Sequence, residues 1–351
     1  MDTVILKFGG SCLDSFVKFD HCCEIIKKYS IKNKVIVVVS AMGSSTDELL
    51  LMAKKVVKTP SRPIYARELD LLISVGERIS MTLLSMSLIK NKVPAASLTG
   101  SQAGIITKRI NGVSTPFKLN KNRITDALDK NMVVVIAGFQ GVSEDKEVTT
   151  LGRGGSDLSA FFLADKLKAK KCILFSNTEG LQSGDPNIIK LTQKIEKIGF
   201  KDLKIIKKLN IKLIDSRAIV YVQKNQIDFY LGNFRSGEVV TKYAHDYDPS
   251  HRVLFNYIPG LNKNNKENSD FEINIATDFF YGRIGRVANT LGENSVVGIY
   301  INGNKIEKSP ELLKNAEMYN FDQVHKINWL VFSKAISFDR LNIIYTLISN
   351  H

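Results

Sequence analysis

Several things are scarce in this chain, and each scarcity excludes a class. Its 351 residues include only four cysteines, Cys12, Cys22, Cys23 and Cys172, with no C-x-x-C pair among them. That is too few for a disulfide scaffold at this length, so reduced thiols are expected. Apolar runs such as residues 35–39 and 132–137 fall far short of the ~20 residues that cross a bilayer. Residues 1–10 lack the charged-then-apolar order of a signal peptide. A soluble, cytoplasmic protein with no membrane partner is expected. The net charge of +14 is not gathered into a basic tail, a zinc-finger spacing or an aromatic RNA-binding motif. Lysines spread along the whole chain predict solvated helix faces rather than a nucleic-acid partner, whose signature would be strongly salt-dependent retention.

What is present is an ordinary globular composition, 44% hydrophobic and 24% charged, which argues against fibrous or disordered classes. The length suits about two domains. Through the first two-thirds, β-branched runs alternate with helical patterns. Strands are predicted at residues 4–8, 34–40, 132–137 and 171–176, and helices at 15–29, 46–58, 66–90 and 157–168. Continuous apolar strands between helices imply a sheet covered on both faces, an α/β domain whose ligands sit beyond the carboxyl ends of the strands. Residues 261–270 are polar and Asn-rich, as in an exposed connection. Beyond them a small α+β module is predicted, with strands at 271–276, 295–301 and 329–333 and helices at 283–291 and 338–348.

Five segments could carry chemistry. Lys7-Phe8-Gly9-Gly10-Ser11 follows the first strand: two glycines let the backbone approach an anion and Lys7 adds a cation, although a plain tight turn is an equal reading. Residues 40–47 follow the second strand with several hydroxyls, where Thr46 or Asp47 as a helix cap is the default. Glu77 interrupts an apolar helix, facing either solvent or a cleft that receives an ammonium group. Residues 149–157 (TTLGRGGSD) place three glycines, Arg153 and a capping Ser156 or Asp157 at a helix start, a site for a carboxylate or phosphate. The spacing is neither a Walker A loop nor a dinucleotide fingerprint. Residues 176–180 and 184–187 read as turns that could hold a nucleotide.

Taken together, KFGGS (7–11), VVVSAMGSSTDELL (37–50), SVGERIS (74–80), LTGSQAGIIT (98–107), IAGFQGV (136–142), TTLGRGGSD (149–157) and EGLQSGDP (179–186) resemble the amino-acid kinase family, specifically its aspartate kinases. The resemblance implies a three-layer αβα fold with a mainly parallel central sheet over residues 1–240. It further implies a linker over 241–268 and an ACT-like module over 269–351 that joins copies into a homodimer or higher oligomer. It implies phosphoryl transfer from ATP, with Mg²⁺, to the side-chain carboxylate of L-aspartate, in lysine and threonine biosynthesis. Lys7, Gly10 and Asp157 would be catalytic. Ser40, Thr46, Glu77, Phe139, Arg153, Gly154, Gly155 and Ser156 would hold the amino acid, Glu77 taking its ammonium and Arg153 its α-carboxylate. Lys7, Phe8, Gly9, Gly10, Ser176, Asn177, Gln182, Asp185, Asn187 and Lys212 would hold the nucleotide. Mg²⁺ would sit on phosphate oxygens without a protein cage. The family pattern is broken at Ser176-Asn177, Gln182, Asn187 and Asp215-Ser216, which lowers the expected grip on ATP. The short tail predicts altered feedback control. Two alternatives remain: a non-catalytic amino-acid-binding subunit, and a kinase for a related carboxylate.

Overall fold

The computed structural model describes residues 1–57, 63–185, 189, 192–208, 211, 213–247, 253–261, 294–301, 318–322, 327–332 and 344. In chain order the elements run β1 (Asp2–Phe8), α1 (Phe16–Ser30), β2 (Asn33–Val39), α2 (Ser45–Val56), α3 (Pro63–Ile73), α4 (Val75–Lys90), β3 (Ala95–Leu98), β4 (Ile105–Lys108) and β5 (Thr115–Leu119). They continue α5 (Asn122–Asp129), β6 (Val133–Ala137), β7 (Gln140–Ser143), β8 (Val148–Thr150), α6 (Gly155–Leu167), β9 (Lys171–Ser176), β10 (Leu181–Gln182), β11 (Lys194–Ile195) and β12 (Lys197–Ile198). Last come α7 (Phe200–Lys208), α8 (Ser216–Asn225), β13 (Phe229–Asn233), β14 (Glu238–Tyr243), β15 (Val253–Leu261), β16 (Asn294–Ile301), β17 (Met318–Asp322) and β18 (Ile327–Phe332).

Two compact units result. The first comprises Met1–Leu181 with Ile214–Asp246, the second Gln182–Leu213 with Tyr247–His351. Seven strands of the first unit lie in the order β14-β13-β9-β1-β2-β6-β3. All pairs among them are parallel except β13–β14. The β-branched runs of β1, β2 and β6 drive this, because branched side chains suit a pleated surface and alternate residues need cover on both sides. Val4, Leu6, Val35, Val37, Val133 and Val135 form one core with Cys22 and Ile26 of α1 and Leu84 and Leu88 of α4. Ile5, Ile36, Val38, Val134 and Ile136 point the other way and are equally buried. On that side α6, buried along Leu158–Ala164 and including Phe161 and Phe162, packs beside β1, β2 and β9 and against α8. The three-layer α/β expectation is met. A second sheet in the order β5-β4-β7-β8 adjoins the α3–α4 region through α3 and β8.

The apolar stretch predicted over residues 66–90 is broken at Ser74 into α3 and α4. By length and composition, residues Tyr65–Lys90 could cross a membrane, with mean hydropathy 1.4, but half of that window is packed inside the protein, as in a core helix. In the second unit, β15, β16, β18 and β17 form an antiparallel sheet in that order. Two of its strands meet the expectations at residues 295–301 and 329–333. β15 occupies part of the segment expected to be a connection, its apolar Val253-Leu254-Phe255 start being a strand pattern that the Asn-rich stretch after it obscured. The elements expected at 271–276, 283–291 and 338–348 lie, apart from Ile344, outside the described residues.

Candidate active site

The parallel register brings the carboxyl ends of β1, β2, β6 and β9 to one edge of the sheet. The chain leaves β1 through Gly9 into a single 3-10 turn, Gly10–Cys12. Gly10 is required by a close approach: a Cβ there would lie 2.7 Å from the Ala41 carbonyl oxygen. Its own carbonyl accepts from the Gly43 N–H at 3.1 Å. That tie fastens the turn after β1 to the turn after β2, where Ser40 donates its N–H to the Phe8 carbonyl at 3.1 Å.

Lys7, at the end of β1, points across to helix α6. Its Nζ lies 2.6 Å from Oδ1 of Asp157, with each side chain 13% exposed. The contact is an ion pair by distance and lacks hydrogen-bond alignment at Oδ1. Asp157 sits in the first turn of α6, where the helix dipole favours negative charge. The expectation that Ser156 or Asp157 caps this helix is corrected. Gly154 is the cap, at φ +66°, because the backbone turns there through the left-handed region that glycine adopts freely. Arg153 is thereby left exposed, and Ser156 is buried. Thr46 and Asp47 are likewise not caps. α2 begins at Ser45 after a turn closed by the Ser45 N–H to Met42 carbonyl bond at 2.9 Å, which places both inside the first helical turn.

Glu77 faces inward. It is 3% exposed, and its Oε1 accepts from the Ala41 N–H at 3.1 Å. Oε2 is buried without a hydrogen-bond partner. Burial pushes the carboxyl up to about 7, against the opposing pull of its backbone hydrogen bonds. A buried acceptor left open beside the β2 turn is suited to a cationic ligand group. Phe139, just past β6, is buried at φ +65°. Its N–H donates to Ser159 Oγ at 3.1 Å, and a Cβ on Gly155 would meet its ring at 2.9 Å, so it abuts the glycine turn directly.

Past β9, Ser176 Oγ bonds Thr178 Oγ1 at 2.8 Å, and Asn177 Nδ2 donates to the Ser11 carbonyl at 3.3 Å. That second bond joins the loop expected to hold a nucleotide to the Gly9–Gly10 turn. In the second unit Gln182 bonds the Thr192 hydroxyl, and Asp185 is exposed. Asn187 and Lys212 lie outside the described residues. The structure therefore gathers Lys7, Gly10, Ser40, Glu77, Phe139, Gly154, Asp157, Ser176 and Asn177 around one edge of the parallel sheet.

Reasoning from the sequence gave no site role to three residues, Asp215 having been noted there only as a break in the family pattern. Asp215 caps α8, its Oδ1 accepting from the Arg217 N–H at 2.9 Å, and lies against Gly154, where an added Cβ would sit 1.9 Å from its own. Burial pushes its carboxyl up, and the Asp157 charge pushes the same way. Arg217 donates to the Ser114 carbonyl at 3.2 Å and lies under Gly152, where a Cβ would come 2.4 Å from Nη1. Asp70, buried on α3, is bonded by Thr150 Oγ1 and the Gly112 N–H. An aspartate set within the apolar run of residues 69–73 was the available signal for the last.

Residues 2–233 match the model of the amino acid kinase family. An aspartokinase of Geobacillus stearothermophilus is 39% identical over 228 residues, covering 65% of this chain and 55% of the relative. Aspartokinase 2 of Bacillus subtilis is 38% identical with the same coverage. The chain thus spans about half the length of the curated relatives it matches. Escherichia coli aspartokinase III, solved in complex with lysine and aspartate, superposes with a TM-score of 0.74 at 15% identity, over 99% of this chain and 100% of that one. At that identity the likeness speaks for the fold alone. The matched segment carries the parallel sheet, the glycine turns and the Lys7–Asp157 pair, and the chain belongs to the amino acid kinase family.

Proposed function

We propose that the protein is an aspartate kinase, transferring the γ-phosphoryl group of ATP to the side-chain carboxylate of L-aspartate. The observation that carries this reading is the Lys7–Asp157 ion pair at the meeting of the Gly9–Gly10 turn with the first turn of α6. A carboxylate oxygen attacks phosphorus, the bond to the bridging oxygen breaks, and ADP leaves with that electron pair. The nucleophile is already an anion, so no proton has to be removed. Positioning and charge stabilisation are what such a reaction asks of a protein.

In this reading Lys7 stabilises charge on the transferring group, Asp157 orients Lys7, and Gly9, Gly10 and the α6 N-terminus offer N–H groups to phosphate oxygens. Glu77 takes the ammonium and Arg153 the α-carboxylate of the amino acid, with Ser40, Thr46, Phe139, Gly154, Gly155 and Ser156 lining its pocket. Ser176, Asn177, Gln182, Asp185, Asn187 and Lys212 serve the nucleotide. Mg²⁺ would neutralise phosphate charge. In this reading the ion is carried on phosphate oxygens rather than by a protein cage. A cytoplasmic biosynthetic enzyme, joined into oligomers through its C-terminal segment, completes the proposal on the strength of the resemblance.

The experiment is ADP release by purified protein with Mg-ATP, with and without L-aspartate, trapping the acyl phosphate with hydroxylamine. Hydroxamate that depends on aspartate is expected. ADP release indifferent to aspartate, or no turnover, would refute the reading.

A further inference from the structure

A chain of hydrogen bonds links four residues that are no more than 1% exposed: Asp70, Ser74, Gln140 and Thr150. Thr150 Oγ1 donates to Asp70 Oδ1, and the Gly112 N–H reaches both carboxylate oxygens, at 3.1 and 3.3 Å. The Asp70 carbonyl accepts from the Ser74 N–H at 3.2 Å, and the Ser74 carbonyl from Gln140 Nε2 at 2.8 Å. Gln140 lies directly opposite Thr150 on the antiparallel β7–β8 ladder, so the two ends of the chain of bonds are neighbours and form a ring.

The ring has two outlets. Thr150 ends β8, and three residues later comes Arg153. Ser74 ends the break between α3 and α4, and three residues later comes Glu77. A buried carboxylate with several donors is rigid, since any rearrangement strands a charge or a donor away from water. The Asp70 carboxylate thus holds the strand that leads into the arginine turn, while the Asp70 carbonyl and the Gln140 amide hold Ser74 at the start of the helix that carries the buried glutamate.

We propose that Asp70 is a positioning residue that sets Arg153 and Glu77 in register for the two charged ends of an α-amino acid. This rests on the amino-acid reading of the site given above. Asp70 need not touch substrate to act. The thermodynamic consequence is specific: loosening the ring weakens the hold on the amino acid and leaves the Gly9–Gly10 turn, tied separately to Gly43, undisturbed.

The test uses Thr150→Val, which removes the donor and keeps the shape, and Thr150→Ser, which restores the hydroxyl. Two readouts are taken on the full chain: amide hydrogen exchange by mass spectrometry without ligands, and steady-state kinetics. In Thr150→Val, exchange over residues 149–157 should quicken about tenfold, and KM for aspartate should rise about tenfold with kcat and KM for ATP within about twofold, as loss of one charge-assisted bond predicts. Thr150→Ser should recover both. Unchanged exchange over that peptide would overturn the proposal, as would faster exchange throughout the unit with both KM values moving together, the mark of a purely structural brace. If Thr150→Val does not fold, Asp70→Asn, which keeps one acceptor oxygen, should show the same pattern at smaller size. If the unaltered protein neither binds nor phosphorylates aspartate, the substrate reading falls, and the exchange readout still decides whether Asp70 controls the arginine turn.

Discussion

Lys7 and Asp157 come from the end of the central strand and the first turn of the most buried helix, and their charged atoms meet at 2.6 Å. The pair is held from behind on both sides: β1 is flanked by β2 and β9, and α6 is buried along Leu158–Ala164. A cation fixed in this way loses little freedom when phosphate oxygens arrive, which is the basis of preorganised charge stabilisation.

Lys7→Ala should therefore lower kcat by a factor on the order of 10²–10³, the cost of removing one preorganised donor. KM for aspartate should change little. Asp157→Asn keeps the shape and removes the charge that directs Lys7, so a smaller fall is expected. Near-normal turnover in Lys7→Ala would remove that residue from phosphoryl transfer.

Arg153 is exposed at the tip of its glycine turn, so its side chain contributes little to stability and is free to engage a ligand. Arg153→Ala should leave the melting temperature unchanged. It should raise KM for aspartate by about tenfold to a hundredfold, the equivalent of ~1.5–3 kcal/mol for a bond to a charged group. KM for ATP should stay put. Arg153→Lys should recover only part, because an ammonium cannot fork onto a carboxylate. Equal effects on both substrates would contradict the assignment.

The parallel core was legible because β1, β2, β6 and β9 are continuous apolar runs, which only a doubly covered sheet demands. β3, with the sequence AASL, and β7, with QGVS, carry no such run and become strands only through their neighbours. The glycine turns were legible too, since clustered glycine after a strand has few other uses. Which residue caps each turn was not. Gly154 rather than Ser156 caps α6 because Asp215, distant in sequence, packs against the turn, and a contact of that kind leaves no trace in local pattern. Glu77 could not be placed by periodicity, as a carboxylate facing water and one facing a cleft occupy the same helical position.

Glu77 should make stability depend on pH in a defined window. Its carboxyl, ordinarily at 4.5, is pushed up to about 7 by burial. Below 4.5 the folded and unfolded chains are both protonated there, and burial is harmless. As pH rises toward 7 the unfolded chain ionises first, so stability falls by about 3 kcal/mol across the window and then levels off. Glu77→Gln has no such term. Its melting temperature should exceed that of the unaltered protein at pH 8, and the gap should close toward pH 5. Parallel curves for the two proteins would refute the raised carboxyl. Because an ammonium group favours the ionised form, added aspartate should stabilise the unaltered protein most at the upper end of the range and leave Glu77→Gln nearly unaffected.

Gly154 and Asp215 should be coupled energetically. At Gly154 two separate penalties await any side chain. The backbone is at φ +66°, which costs an L-residue roughly 1–2 kcal/mol. The Cβ would also lie 1.9 Å from Cβ of Asp215, a contact that forces the α8 N-terminus to move. Gly154→Ala should lower stability by several times the backbone term alone. Asp215→Gly, by itself, should cost only a few tenths of a kcal/mol to about 1, for loss of the helix cap. Made in the Gly154→Ala background it removes the clash, so the double variant should be more stable than Gly154→Ala, with an interaction of ~1–3 kcal/mol in the double-mutant cycle. Denaturant unfolding of the four proteins measures it. Simple additivity would mean that the arginine turn moves freely away from α8, and the rigid placement of Arg153 would lose its structural basis.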